Sequence, residues 1–279
     1  MKQFKALIIK EWQTYWKIML SPAWFLLANY AFILIIFIYT YFTSNSEMNI
    51  LVSSQQGNLD ALIWGVHFGS SILLGFLATL GSMNLADNVI NQDSIRKCDI
   101  FHYSLPVSLK KIVASKYIFV IFGSFVTFVV LAVANSILMS AISSIYGLSN
   151  LSLGLNGVMN AIPYTLMSLL VFPPLCGFFA SIFKRNSFIS MLGIIILLDI
   201  MLYMLNIWLG VGYFSIYRYY MRVLAAPLNT ITMILSGQYP SFSFFAWQDI
   251  SHIDTLIRLG ISCVLIVGTY FLVKRRELS

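Results

Sequence analysis

Long apolar runs separated by short polar segments dominate the hydrophobic pattern of the chain. Six runs have few or no charged side chains and reach about 18 residues or more, the length a helix needs to cross about 30 Å of hydrocarbon. They cover residues 22–42, 62–85, 117–141, 161–183, 187–208 and 255–273. The pattern predicts an all-α polytopic membrane protein with six transmembrane helices in a single transmembrane domain, residues 1–279.

The segment before the first run has the pattern of an amphipathic helix. Over residues 2–17, apolar side chains recur at helical spacing and polar ones lie opposite: Phe4, Leu7, Ile8, Trp12 and Tyr15 against Lys2, Lys5, Gln13 and Lys17. Such a helix is suited to the membrane interface. Glu11, next to Lys10, falls within the apolar arc. It is either paired with a lysine or snorkelling to water, or it contacts a neighbouring chain.

The polar segment between the second and third runs, residues 87–116, is dense in charge. Its charged residues are Asp87, Asp93, Arg96, Lys97, Asp99, Lys110, Lys111 and Lys116. Its first part is expected either to continue the second span or to form a short separate helix, which Pro106 breaks. Ser108 is the expected N-cap of a helix that runs into the third span. The apolar residues among the charges, Ile100, Phe101, Tyr103 and Leu105, favour a docking surface over a purely solvated loop.

Two further connections are predicted on the opposite side of the membrane. Residues 143–161 are uncharged and rich in Gly, Ser and Asn, which predicts a short external connection. Residues 209–254 are aromatic but interrupted by Gly and Pro. Their apolar middle is too short to cross the membrane, so we expect re-entrant or interfacial helices before the last span that cap an outer mouth.

Three residues inside the predicted spans are candidates for a pathway. Asp199 lies near the centre of the fifth span, where an acid costs about 2.5–3.5 kcal/mol, so it should face protein or water. It is either a functional acid or a hydrogen-bonded structural one. Pro173 and Pro174 lie near the middle of the fourth span and predict a kink there, which either serves packing or lines a pathway.

Composition and charge place the chain in the membrane and orient it. The chain is 59% hydrophobic and 10% charged, with a mean hydropathy of +0.84, whereas soluble domains are about a quarter charged. With the N-terminus inside, the inner segments hold 14 of the 17 Lys and Arg residues, which predicts a cell-membrane protein with both termini cytoplasmic. The net charge of +7 then reflects this topology and contact with anionic lipids, and not nucleic acid binding.

Catalytic and metal-binding motifs are missing from the sequence. No phosphate-cradling loop, zinc-protease motif or G-x-S-x-G nucleophile turn occurs, and Cys98, Cys176 and Cys263 have no metal or disulfide spacing. We therefore expect a chain that is not itself an enzyme and binds no cofactor or metal.

Three parts of the chain carry a family resemblance: the N-terminal helix with Lys10 and Glu11, the segment SLPVSLKKIVASK that ends the polar loop, and the terminal FLVKRREL. In this order the parts resemble the permease subunits of ATP-binding cassette exporters of the ABC-2 (type V) superfamily. The resemblance implies that residues 87–116 form a cytoplasmic coupling loop that seats in an ATPase. It also implies that residues 209–254 form short helices at an outer gate.

The resemblance also assigns residues and partners. It implies ATPase-coupling roles for Asp93, Arg96, Lys97, Asp99 and Pro106, and a contact through Lys10 and Glu11 of the interfacial helix. The implied partners are a separate ATPase subunit that binds ATP and Mg, a second permease of the same or a related chain, and membrane lipids. The His-containing lead-in IFHYSL departs from the family pattern and leaves the limits of the coupling helix open.

The expected function is ATP-driven export of a hydrophobic peptide or lipid-like substrate. Two alternative functions belong to other classes of membrane protein. One is a secondary transporter driven by an ion gradient through Asp199, and the other is a non-transporting membrane scaffold or immunity protein.

Overall fold

The computed structural model describes residues 2–28, 30, 31, 35, 56–95, 108–145, 151–183, 187–210, 215, 216, 223 and 253–278. The helices in this part of the chain are α1 (Lys2–Met19), α2 (Gln56–Ile95), α3 (Leu109–Ile145), α4 (Leu151–Ile182), α5 (Ser187–Leu209) and α6 (Ile253–Leu278). Helices α2 to α6 are long and apolar enough to cross a membrane. The predicted all-α polytopic membrane fold is confirmed.

The first predicted span, residues 22–42, lies mostly outside the described residues. Those that are described, 22–28, 30, 31 and 35, are helical. A turn at Leu20 separates this stretch from α1, and the Leu20 carbonyl accepts a hydrogen bond of 2.9 Å from the Ala23 amide. Most of the predicted outer-gate segment, residues 209–254, also lies outside the described residues.

Both helices next to the polar segment are longer than their apolar runs. Helix α2 continues to Ile95, so the first part of the predicted coupling loop extends the second span and does not form a separate helix. Helix α3 starts directly after Ser108, whose carbonyl accepts bonds from the amides of Lys111 at 2.9 Å and Ile112 at 3.3 Å. The start of α3 is as predicted.

The prediction of an external connection over residues 143–161 is largely wrong. Helix α3 extends to Ile145, and α4 already begins at Leu151. The glycines that indicated a loop, Gly154 and Gly157, are buried in α4. A Cβ on Gly157 would lie 3.0 Å from the Phe68 backbone nitrogen and 3.3 Å from the Trp64 oxygen of α2. These glycines therefore serve close helix packing and not a turn.

Helix α4 is the centre of the bundle. It contacts α2, α3, α5 and α6, and most of its length is buried. On α2, Gly75 meets the side chain of Thr165 so closely that a Cβ there would overlap it. A Cβ at Gly69, also on α2, would meet nothing within 4 Å. The close approach of α2 and α4 thus uses Gly75 rather than Gly69.

Helices α5 and α6 form the periphery. Both leave most of their apolar side chains exposed, as helix surfaces facing lipid do. Helix α5 ends at Gly210, which has a φ of +64° and donates its amide to the Asn206 carbonyl at 2.9 Å. This left-handed conformation suits glycine and stops the helix close to the predicted end of the fifth span.

Helix α1 packs against α2 and α3 through only part of its predicted apolar arc. The residues buried at four-residue spacing are Leu7, Glu11, Tyr15 and Met19. Trp12, predicted in the apolar arc, is 48% exposed. The apolar arc is wide enough to divide between the bundle and the outside. Trp12 lies on its outer part, and Trp16 and the lysines Lys5, Lys10 and Lys17 are exposed as well.

Candidate functional site

Residues 96–107, the middle of the predicted coupling loop, lie between two helices whose ends are described. We call the region around Asp87–Asn91 of α2 and Lys116–Tyr117 of α3 the loop-side end of the bundle, because residues 96–107 connect these two helices. Asp93 lies on the last turns of α2. The predicted coupling residues Arg96, Lys97, Asp99 and Pro106 lie outside the described residues, so their roles stay predictions.

A buried lysine joins the two helices of the loop-side end. The Lys116 side chain is 8% exposed, and its Nζ donates a hydrogen bond of 2.6 Å to the Val89 carbonyl oxygen of α2. A charged donor makes a stronger bond than a neutral one. Lys116 therefore fixes the start of α3 to the part of α2 that carries Asp93.

Asn91 ties α2 to the end of α4. Its Nδ2 donates to the Asp87 Oδ1 at 2.6 Å and to the Phe183 carbonyl oxygen at 3.3 Å. Asn91 is buried, and Phe183 directly follows the last residue of α4. Sequence reasoning missed Asn91. The available signal was its four-residue spacing from Asp87, which puts both side chains on one face of α2.

Three further polar contacts hold α1, α4 and α6 against α2 and α3 near this end of the bundle. The Tyr15 hydroxyl of α1 donates to the Asn88 carbonyl at 3.4 Å, and the Tyr117 hydroxyl of α3 lies 2.9 Å from the Thr269 Oγ1 of α6. The Cys176 thiol of α4 donates to the Met83 carbonyl at 3.2 Å. The ends of α2 and α3 are thus braced from several sides.

The two predicted interfacial-contact residues lie in different environments. Lys10 is exposed, whereas Glu11 is buried, with 4% of its surface accessible, on the side of α1 that faces the bundle. Of these two residues, Lys10 is the one whose side chain faces away from the chain's own helices.

The candidate pathway residues lie away from the loop-side end. Asp199 of α5 is partly buried, and its Oδ2 accepts a hydrogen bond of 2.9 Å from the Ser215 hydroxyl. Pro173 and Pro174 are buried in α4, which continues through both without interruption. They lie in sequence among Phe172, Leu175 and Cys176, which belong to the apolar cluster that joins α4 to α5. A role for Asp199 or the prolines in a pathway stays a prediction.

A small cavity opens between α2, α3 and the helical residues 22–28 and 30. Its volume is about 110 Å³, and its wall includes Phe25, Leu74, Met139, Tyr30, Ser70 and Asn135. The Tyr30 hydroxyl donates to the Asn135 Oδ1 at 2.7 Å, and the Asn135 Nδ2 donates to the Ser70 hydroxyl at 3.0 Å. The cavity is therefore apolar apart from one chain of hydroxyl and amide groups.

The described residues contain no group of three His, Cys, Asp or Glu side chains placed to hold a metal ion. The polar groups at the loop-side end instead bond to one another and to backbone carbonyls. This arrangement can transmit force between helices.

Comparison with known proteins identifies the family of the chain. Residues 59–245 match the family model described as ABC-2 family transporter protein, which covers more than half of the chain. No curated protein and no solved structure matches the chain.

Proposed function

Because the chain belongs to the ABC-2 family of transporter proteins, we propose that this membrane permease works in an exporter driven by a separate ATP-binding cassette ATPase. The observation that carries the proposal is the bracing of the loop-side end. Lys116, Asn91 and Tyr15 donate hydrogen bonds to the carbonyls of Val89, Phe183 and Asn88 and so join α3, α1 and the end of α4 to α2. A helix pair held in this way passes on a displacement of the loop as a rigid body.

The proposed cycle begins at the partner. ATP and Mg bind to the ATPase subunits, which close and displace residues 96–107. Helices α2 and α3 move with the loop and change the shape of the bundle at its other end. The loop must make different contacts with the ATPase in its two states, since a ligand shifts an equilibrium only by its differential affinity.

The proposed surroundings of the permease follow from charge and from the family. Both termini lie in the cytoplasm of the cell, on the Lys- and Arg-rich side. A second permease, of the same or a related chain, completes the transmembrane part. The exposed Trp12 and Trp16 of α1, beside exposed lysines, suit contact with anionic membrane lipids.

The proposed substrate is a hydrophobic peptide or a lipid-like molecule. The cavity bordered by Tyr30, Ser70 and Asn135 is about 110 Å³, below the about 300–1,000 Å³ of ligand pockets, so it holds at most the end of such a molecule, and its mainly apolar wall fits an apolar chain. The aromatic composition of residues 209–254 supports it as well.

The first test is purification of the tagged chain from its native membrane in mild detergent, followed by identification of the co-purifying proteins. We expect an ATPase subunit in about equal amount. The double variant Asp93→Ala with Arg96→Ala should insert normally and uncouple ATP hydrolysis from export.

A matched control removes two exposed charges from the end of α6, Lys274→Ala with Arg275→Ala. These side chains are remote in sequence from the coupling segment, so export should remain. Absence of an ATPase, together with normal export by the Asp93 and Arg96 variant, would overturn the proposal.

One alternative function has its own observation. Asp199 is a partly buried acid held by Ser215, as a proton or ion site in a secondary transporter can be. That reading requires transport driven by an ion gradient without an ATPase, and its loss in Asp199→Asn. A scaffold or immunity protein would instead bind a partner through residues 209–254 and move no substrate.

A further inference from the structure

Two opposite charges are buried where α1 meets the bundle. Glu11 of α1 is 4% exposed and Lys116 of α3 is 8% exposed, and the two helices are in contact. Removing a charge from water costs several kcal/mol, so buried charges are paired and hydrogen-bonded. The partner of Glu11 should therefore be a cation on a facing helix.

The register of α1 along α2 fixes the position of Glu11 along the axis of α2. Tyr15 reaches the Asn88 carbonyl, and the Ser21 hydroxyl, six residues later, lies 3.3 Å from the Cβ position of Gly81. The helical stretch from α1 to residue 21 therefore runs antiparallel to α2, nearly residue for residue. One turn back from Tyr15, Glu11 lies towards the end of α2 from which the loop leaves.

The register of α1 along α3 places Glu11 at the same level of the bundle. The Met19 sulfur lies 2.9 Å from the Cβ position of Gly123, and Tyr15 shares an apolar cluster with Phe119 and Val120. Each turn back along α1 is matched by one turn back along α3. Two turns before Met19, Glu11 is level with Ser115 and Lys116.

The contacts of Lys116 and Tyr15 converge. The Lys116 Nζ bonds to the Val89 carbonyl, and the Tyr15 hydroxyl bonds to the adjacent carbonyl of Asn88. An ammonium group has three N–H donors, so Lys116 can bond to a carboxylate as well as to Val89. The other nearby lysines in sequence, Lys10, Lys110 and Lys111, are exposed.

We propose that Glu11 and Lys116 form a buried ion pair that fastens α1 to the loop-side end of the bundle. The proposal deepens the proposed function and, in its consequence for coupling, rests on it. Lys116 then binds α1 and α2 at once, and α1 moves as one body with the helices on either side of the coupling segment. Glu11 and Lys116 act as positioning residues in this proposal, since both side chains are buried between helices.

Charge reversal tests the pair. Glu11→Lys and Lys116→Glu each place two like charges together in a buried site and should sharply reduce the folded fraction of the protein in a thermal unfolding series. The double variant Glu11→Lys with Lys116→Glu restores opposite charges. We expect it to recover most of the folded fraction, with a coupling between the two sites of about tenfold or more in the double-mutant cycle.

Milder variants keep the test decisive where a single reversal does not fold. Glu11→Gln leaves Lys116 without its carboxylate, and adding Lys116→Met removes the charge that remains. The pair predicts that the double variant is more stable than Glu11→Gln alone. Additive losses in both double variants would overturn the pair. Lys5→Glu and Lys111→Glu, at exposed positions of the same two helices, are the matched controls and should leave stability unchanged.

The coupling role has a separate readout in the purified complex with its ATPase. Glu11→Gln should lower the substrate exported per ATP hydrolysed, and the charge-swapped double variant should restore that ratio. Restored stability without a restored ratio would overturn the role in coupling and leave the ion pair standing. Restored stability in a chain that co-purifies with no ATPase would instead overturn the proposed function, because unfolding measures the pair without the partner.

Discussion

The loop-side end and the α2–α4 contact hold helices together by opposite means. At the loop-side end, Lys116 and Asn91 reach across to backbone carbonyls with directed bonds. Between α2 and α4, the absence of side chains at Gly75 and Gly157 lets backbones approach. Lipid tails are as apolar as leucine, so close packing must hold helices together within the membrane. At the loop-side end, polar side chains are present, and their directed hydrogen bonds fix the positions of the helices relative to one another.

The largest expected effect comes from filling the α2–α4 contact. Gly157→Leu forces a side chain against backbone atoms of Trp64 and Phe68, which cannot turn aside as a side chain can. Overpacking of this kind costs about 1–3 kcal/mol or more. We expect a large drop in unfolding temperature and in the yield of monodisperse protein in mild detergent.

Gly69→Leu is the matched control, since a Cβ at that position meets nothing within 4 Å. It should unfold close to the native temperature. Equal losses for Gly69→Leu and Gly157→Leu would show that leucine at any α2 or α4 glycine is harmful and that the close contact is not the cause.

A second effect, of similar or smaller size, is expected at the loop-side end. Asn91→Ala removes the bonds to Asp87 and to the Phe183 carbonyl, and leaving buried polar groups unpaired costs about 1–3 kcal/mol. Thermal unfolding should show the loss. Asn88→Ala is the control, because within the described part of the chain the Asn88 amide bonds to Asn84 of the same helix. A larger loss for Asn88→Ala would contradict the role given to Asn91.

A smaller effect is expected near the cavity. Asn135→Leu breaks the chain from Tyr30 to Ser70, and hydrogen bonds between membrane helices average about 0.6 kcal/mol, with a maximum of about 1.7. The unfolding temperature should fall slightly. Ser144→Ala, which loses a bond within α3 only, should change it less, and the reverse order would count against a cross-helix role for Asn135.

The smallest effect on ATP-driven export is expected at Asp199. Asp199→Asn keeps an oxygen that can accept the Ser215 hydrogen bond and removes only the ionisable group. Export measured in vesicles with ATP should be close to normal. Abolished transport would favour the gradient-driven alternative.

Much of the fold follows from the apolar pattern, since runs without charges mark the spans, and Ser108 marks the start of α3. The start of α4 was missed because Gly154 and Gly157 have the same composition signal in a turn as in a close helix contact. Asn91 was missed for a related reason. A polar residue beside a charged loop predicts solvent exposure, and only the fold brings the Phe183 carbonyl to it.

Glu11 shows a limit of helical periodicity. Its position within the apolar arc of α1 was visible, but periodicity does not identify which part of a wide arc faces protein. The structure divides the arc, with Glu11 inside and Trp12 outside. The roles of Arg96 to Pro106 stay predictions, because they would depend on the surface of the proposed ATPase, which the sequence of this chain does not contain.

Helix α2 is long and makes a close packing contact near its middle. Its 40 residues span about 60 Å, about twice the hydrocarbon thickness of a bilayer. Gly75, where α2 presses against Thr165 of the central helix, lies at its midpoint. A tilt of the braced bundle by about 5° around this midpoint displaces each end of α2 by about 3 Å, in opposite directions. A displacement of one end of α2 would then produce an equal and opposite displacement of its other end, across the membrane.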